Sequence, residues 1–248
     1  MEHSPRGGKR IAFFGGSFDP PHLGHLAVAR AARAALGLDT VLFAPVGVQP
    51  LKPQGSTAGF AERLAMTRLA IAGEPGFAVS LMDAPKSGAG PNYTIDSLLH
   101  LRAELPSDGA LYCLMGADSF LSLRRWHRAA EIAFVAALIV ASRPGQPLDD
   151  LVAALPQGLH LEAASLPPPS GPAPPGSGVD LRSYLLRNPA GDTAPLYLLP
   201  GLHIDISASQ IRDQIREQTQ SSPESAAPEP ELLPSAVLDY IRTHGLYR

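Results

Sequence analysis

Gly15-Gly16-Ser17-Phe18-Asp19-Pro20-Pro21-His22-Leu23-Gly24-His25-Leu26 comes directly after the apolar run IAFF at 11–14. A short, uniformly apolar run that stops at two glycines reads as a buried strand ending in a turn. The stretch 24–36 is rich in Ala and Arg, with Leu26, Ala29 and Arg30 at helical spacing, and Gly37 suits its C-terminal end. The same alternation recurs along the chain. Strand-like runs are expected at 41–44, 77–81, 110–115, 138–141 and 196–199, and helices at 58–72, 93–105 and 234–244. The last helix has Pro234 near its start and Gly245 after its end.

Short apolar strands alternating with helices predict an α/β fold, a doubly wound (Rossmann-like) parallel sheet with helices on both faces. Ligands in such sheets sit beyond the carboxyl ends of the strands. The loops at Gly15, Pro45, Gly116 and Arg143 are therefore where chemistry is expected. A single domain over 1–248 is expected, with a Pro-rich exposed insert at about 165–180 and a polar spacer at about 219–231.

Composition narrows the function classes. Apolar residues make up 45% and charged residues 17%, an ordinary balance for a soluble globular chain. A net charge of -3 argues against a nucleic-acid partner, which would need excess Lys and Arg. No run approaches the length of a membrane span, and the opening MEHSPRGGKR has no apolar signal core. Cys113 is the one cysteine, set in an apolar run, and reads as a small buried hydrophobe. A reducing, cytoplasmic setting is expected.

Two segments carry chemistry. After the first strand, Gly15 and Gly16 let backbone approach an anion, and the next helix start offers unpaired N–H groups with partial positive charge. His22 and His25 are three apart, so both project from one face of a first helical turn. The plain alternative is a tight turn followed by ordinary helix-start residues. Near the other end, Ser207 and Gln210 form a capping-box pattern. Arg212 follows in the second turn, where its side chain leans back toward the N-terminus beside Ser209. A plain helix start is the alternative there.

The first segment resembles the GGxFDPxHxGH signature of the nucleotidyltransferase superfamily, and 206–212 (ISASQIR) resembles its ISxxxxR element. The resemblance implies that His22 and His25 contact the phosphates of ATP and that Ser207, Ser209 and Arg212 grip them from the opposite side. Other stretches narrow the likeness to bacterial-type nicotinate-nucleotide adenylyltransferases. PVGVQPLKP at 45–53 resembles a loop that usually carries Pro-Pro-His-Lys, with Leu51 in place of the histidine and Lys52 retained. NYTIDSL at 92–98 resembles SYTxDTL. GADS at 116–119, with Trp126 eight residues after Asp118, matches the family's order, although His127 replaces the usual tyrosine. SRPG at 142–145 and YIRTHGLY at 240–247 also match.

The resemblance implies an ATP site of Gly15, Gly16, Ser17, Phe18, His22, His25, Asp118, Ser207, Ser209 and Arg212. It implies an acceptor site of Lys52, Tyr93, Thr94, Trp126, His127 and Arg143. There Trp126 stacks on a pyridine ring, and backbone N–H groups near Thr94 and His127 hold its carboxylate. The acceptor implied is nicotinate mononucleotide, giving a step in NAD biosynthesis. Mg²⁺ would be held mainly by the ATP phosphates, without protein ligands.

Charge sets the mechanism expected. A 5′-phosphate is mostly dianionic near neutral pH, its second pKa being about 6, so it attacks without a general base. Two unit charges 4 Å apart repel by about 1 kcal/mol in water and about 4 at an effective dielectric of 20. His22, His25, Lys52, Arg212 and Mg²⁺ would offset that repulsion. Three alternatives compete. A sister enzyme would use nicotinamide mononucleotide, phosphopantetheine or a cytidylyl donor. A synthetase fragment would need a Lys-rich segment where Ser207 to Arg212 stands. A non-catalytic nucleotide-binding module would fit the departures at Leu51 and His127.

Overall fold

A computed structural model describes residues 8–51, 55–86, 88, 90–142, 148–164, 166, 180–202, 207–220 and 232–248. The strands are β1 (Arg10–Gly16), β2 (Thr40–Pro45), β3 (Phe77–Val79), β4 (Ala110–Gly116), β5 (Ala137–Ala141), β6 (His160–Ala163), β7 (Arg182–Arg187) and β8 (Thr193–Leu199). The helices are α1 (Leu23–Leu36), α2 (Phe60–Ala70), α3 (Thr94–Glu104), α4 (Ala117–Leu121), α5 (Ala129–Val135), α6 (Leu148–Ala153), α7 (Ala208–Gln220) and α8 (Ser235–His244). A single 3₁₀ turn, Leu123–Arg125, follows α4.

The sheet order is β3-β2-β1-β4-β5-β8-β7-β6. β1, β4, β5 and β8 pair in parallel, with Ile11 opposite Leu111, Cys113 opposite Leu138 and Val140 opposite Leu198. Consecutive residues Leu111 to Met115 are all buried. Side chains alternate across a strand, so both faces of β4 are covered. Every expected strand and helix forms within a few residues of its anticipated bounds. Gly37 and Gly245 adopt the left-handed conformation that ends a helix.

One edge departs from the all-parallel expectation. β7 runs antiparallel to β8, and β6 antiparallel to β7. β6 and β7 are half-solvated (RSYLLR mixes charge with apolar residues) and lack the uniform hydrophobicity of doubly covered strands. The short helices α4, α5 and α6 were not anticipated, being too brief to establish a helical period.

Residue contacts divide the chain into two compact units that interleave in sequence. One comprises Met1–Gly15, Val28–Leu42 and Tyr93–His203; the other comprises Gly16–Ala27, Phe43–Asn92 and Ile204–Arg248. The second has its own apolar core, in which Ala58, Met66 and Ala70 meet Ile211, Ile215, Val237, Ile241 and Tyr247. In the first, α3 packs on α5. The Pro-rich insert lies outside the described residues apart from 166 and 180. So does the spacer, except that Thr219 and Gln220 are the last turn of α7 rather than linker. No helix among the described residues is long and apolar enough to cross a membrane.

Candidate active site

In the second unit the glycine loop and the late serine–arginine helix meet at Asp19. Arg212 Nη1 donates to the Asp19 carbonyl oxygen at 2.7 Å, and Nη2 donates to Ser209 Oγ at 3.2 Å. Segments 193 positions apart in sequence are thereby fixed against each other. The Asp19 carboxylate accepts three more bonds, from the N–H groups of Thr57 (2.6 Å) and Ala58 (3.1 Å) and from the Tyr247 hydroxyl (2.7 Å). The phenol pKa is raised, first by burial and then by the adjacent Asp19 charge, so Tyr247 stays a donor.

Ser207 caps α7 as its spacing suggests. Its backbone N–H donates to Gln210 Oε1 at 3.0 Å, while the Gln210 N–H donates back to Ser207 Oγ at 3.2 Å. Reciprocal capping holds the first turn that presents Ser209 and Arg212.

The His22 and His25 rings are in contact, tilted by 33° with centroids 3.8 Å apart. The His22 backbone N–H donates to His25 Nδ1 at 3.1 Å. That nitrogen must therefore be unprotonated, and the neutral ring carries its proton on Nε2. Burial lowers the His22 pKa to about 4. Burial, with His22 as the second cause, also holds His25 well below the ordinary histidine value. Without a bound anion, both imidazoles are neutral at pH 7. His22 Nδ1 is a buried atom with no hydrogen-bond partner among the described residues.

Phe18 takes a left-handed backbone conformation, φ 47°, that non-glycine residues rarely adopt. Its buried ring packs edge-on to His25 at 5.0 Å and against Phe43 at 5.6 Å. A Cβ at Gly16 would lie 3.1 Å from that ring, and one at Gly15 would lie 3.0 Å from the Phe13 ring. A Cβ at either position would press on an aromatic ring, a packing reason for glycine additional to backbone access for a phosphate.

The first unit gathers Tyr93, Thr94, Trp126 and His127. Tyr93 is the N-cap of α3, and Thr94 is its first helical residue rather than its cap. The Tyr93 and His127 rings lie 4.3 Å apart, tilted by 32°. Trp126 Nε1–H donates to Ser122 Oγ at 3.1 Å, and that hydroxyl donates on to the Ser119 carbonyl at 2.8 Å. Asp118 lies in the first turn of α4. Lys52 and Arg143 fall outside the described residues.

The cytidylyltransferase-like family matches residues 13–214. A probable nicotinate-nucleotide adenylyltransferase of Trichlorobacter lovleyi is 34% identical over 96% of this chain and 99% of its own length. One of Laribacter hongkongensis is 38% identical, covering 96% of this chain and 94% of the relative. The chain belongs to the nicotinate-nucleotide adenylyltransferase family. A Plasmodium falciparum nicotinic acid mononucleotide adenylyltransferase, solved in complex with NaAD, shares the fold with a TM-score of 0.64 at 16% identity, covering 96% of this chain and 97% of that one. As in nucleotidyltransferases generally, a divalent metal ion is implied for this adenylyltransferase family. Among the described residues no group of three or more His, Cys, Asp or Glu could hold one.

Sequence reasoning passed over three residues that this adenylyltransferase fold uses to hold its loops. Asp19 stands within the glycine motif and Tyr247 within the terminal match, and neither position announces its partner. Arg63 was not singled out at all. Its signal was legible, since it occupies the buried stripe of α2 with Met66, Thr67 and Ala70, where an apolar residue belongs.

Proposed function

We propose that the chain transfers the adenylyl group of ATP to the 5′-phosphate of nicotinate mononucleotide, releasing pyrophosphate and forming deamido-NAD. The observation that carries this is the Arg212–Asp19 bond, which joins the two phosphate-motif segments. The near full-length relatives support the acceptor.

An oxygen of the acceptor phosphate attacks the α-phosphorus of ATP in line. A new O–P bond forms as the bond to the β-phosphate bridge breaks, and that electron pair leaves with pyrophosphate. The attacking phosphate carries no proton that must be removed. His25 would donate through Nε2–H, while Arg212 and Lys52 would offset phosphate charge beside Ser209. These donors act by positioning and charge stabilisation, without a covalent enzyme intermediate. Trp126 would stack on the pyridine ring near Tyr93, Thr94 and His127.

The metal is proposed to be Mg²⁺ held by the ATP phosphates, where it would neutralise charge on the leaving pyrophosphate. The Asp19 carboxylate, already accepting three hydrogen bonds, is committed to holding the loop. A reducing, cytoplasmic setting is proposed with this activity, and it suits a chain whose one cysteine, Cys113, is buried.

Purified protein with ATP and Mg²⁺ is to be given nicotinate mononucleotide, nicotinamide mononucleotide and phosphopantetheine side by side, with dinucleotide and pyrophosphate quantified. The highest kcat/KM is expected with the nicotinate form. Preference for either other acceptor would overturn the assignment.

A further inference from the structure

Arg63 is 2% exposed and is the largest fully buried side chain among the described residues. Its hydrogen bonds go to three backbone carbonyls: Nη1 to Ser17 at 2.6 Å, Nη2 to Val46 at 2.8 Å and Nε to Ala58 at 3.2 Å. A guanidinium keeps its charge in a protein. Sealing that charge from water carries a desolvation cost, which the three carbonyls and the nearby Asp19 carboxylate offset. A leucine or methionine would fill the same stripe beside Met66 and Ala70 without it. Packing alone therefore does not call for arginine here.

What arginine supplies is a rigid fork that reaches diverging carbonyls at once. Ser17 belongs to the phosphate loop. Val46 opens the stretch after β2 that leads toward Lys52, the residue assigned to the acceptor. Ala58 lies beside Thr57, and both of their N–H groups are held by Asp19. Two weaker ties join the same pair of loops: Val46 N–H to the Gly16 carbonyl at 2.9 Å and Ser17 Oγ to Gln49 Oε1 at 2.9 Å.

We propose that Arg63 is a positioning residue that sets the spacing between the nucleotide loop at 16–22 and the acceptor loop at 46–51. This rests on the adenylyl-transfer reading. In-line attack requires reacting atoms within about 3–3.5 Å, and a 1 Å misplacement costs about 100-fold in rate. Each substrate alone still meets its own loop. Loss of the fork therefore falls on kcat when both substrates are bound and spares the binding of either one.

The test is Arg63→Lys, which keeps the charge but cannot span three carbonyls. Activity is measured at saturating ATP and nicotinate mononucleotide, at a temperature where circular dichroism shows a folded chain. Binding of a non-hydrolysable ATP analogue is measured by calorimetry. Expected is a kcat loss of about 100-fold with analogue affinity within about fivefold of wild type. A folded variant with kcat within about threefold of wild type would overturn the proposal, as would an equal loss of analogue affinity. Should Arg63→Lys not fold, Gln49→Ala decides, because it cuts the Ser17 tether at a half-buried position. A kcat loss of about tenfold with unchanged analogue affinity supports the proposal, and unchanged kcat refutes it. An inactive wild-type protein would bring down the functional reading together with this inference. An active one indifferent to Arg63 and Gln49 would bring down this inference alone.

Discussion

Replacing His22 by Gln should flatten the acid side of the protein's stability profile. The imidazole is 5% exposed and its pKa is lowered from 6.5 to about 4 by burial. An unfolded chain binds a proton at this residue below about pH 6.5, whereas the folded chain resists until about pH 4. The unfolded state therefore holds more protons across that window, and stability rises with pH through it. The full effect is about 2.5 pKa units, or about 3 kcal/mol, present above pH 6.5 and lost by pH 4. At pH 5.0 roughly 2 kcal/mol of it is already gone. Urea unfolding of wild type and His22→Gln at pH 7.5 and pH 5.0, without nucleotide, measures the difference. The wild type should lose about 2 kcal/mol more than the variant between the two conditions. His25 contributes in the same direction, and in the variant its depression relaxes because His22 is its second cause, which widens the difference further. Equal losses would mean that His22 is solvated in the folded chain and would overturn the linkage drawn from its burial.

His25→Ala should lower turnover by at least about 100-fold while ATP still binds, the scale of removing a preorganised donor. Wild-type-like turnover would take the imidazole out of the mechanism. Trp126 is the one tryptophan in the chain, so intrinsic fluorescence reports its environment directly. Ser122→Ala removes the oxygen that receives the indole N–H, and it should shift the emission and raise KM for the acceptor more than KM for ATP. An unchanged spectrum would show that the Ser122 bond does not hold the ring.

The parallel core was legible because strands covered on both faces must be apolar at every position, as residues 111–115 of β4 are. The antiparallel edge of β6 and β7 was not, because a strand open to solvent carries mixed residues that any loop might also carry. Within the candidate site, His22, His25, Ser209 and Arg212 stood out as candidate phosphate contacts because helix starts offer donors that suit anions. The network that holds them was harder to read. Asp19 spends its carboxylate on Thr57, Ala58 and Tyr247, partners 38, 39 and 228 positions distant. No local spacing encodes such pairings. The glycines show a subtler gap: their identity was anticipated from ligand approach, yet the Phe13 and Phe18 rings also crowd any Cβ there.

The Asp19–Tyr247 bond also has a meaning in time. While the chain is being synthesised, Asp19 can meet the N–H groups of Thr57 and Ala58 long before residue 247 exists. The loop is thus completed from the far end of the sequence: its last hydrogen bond waits for Tyr247, which follows α8.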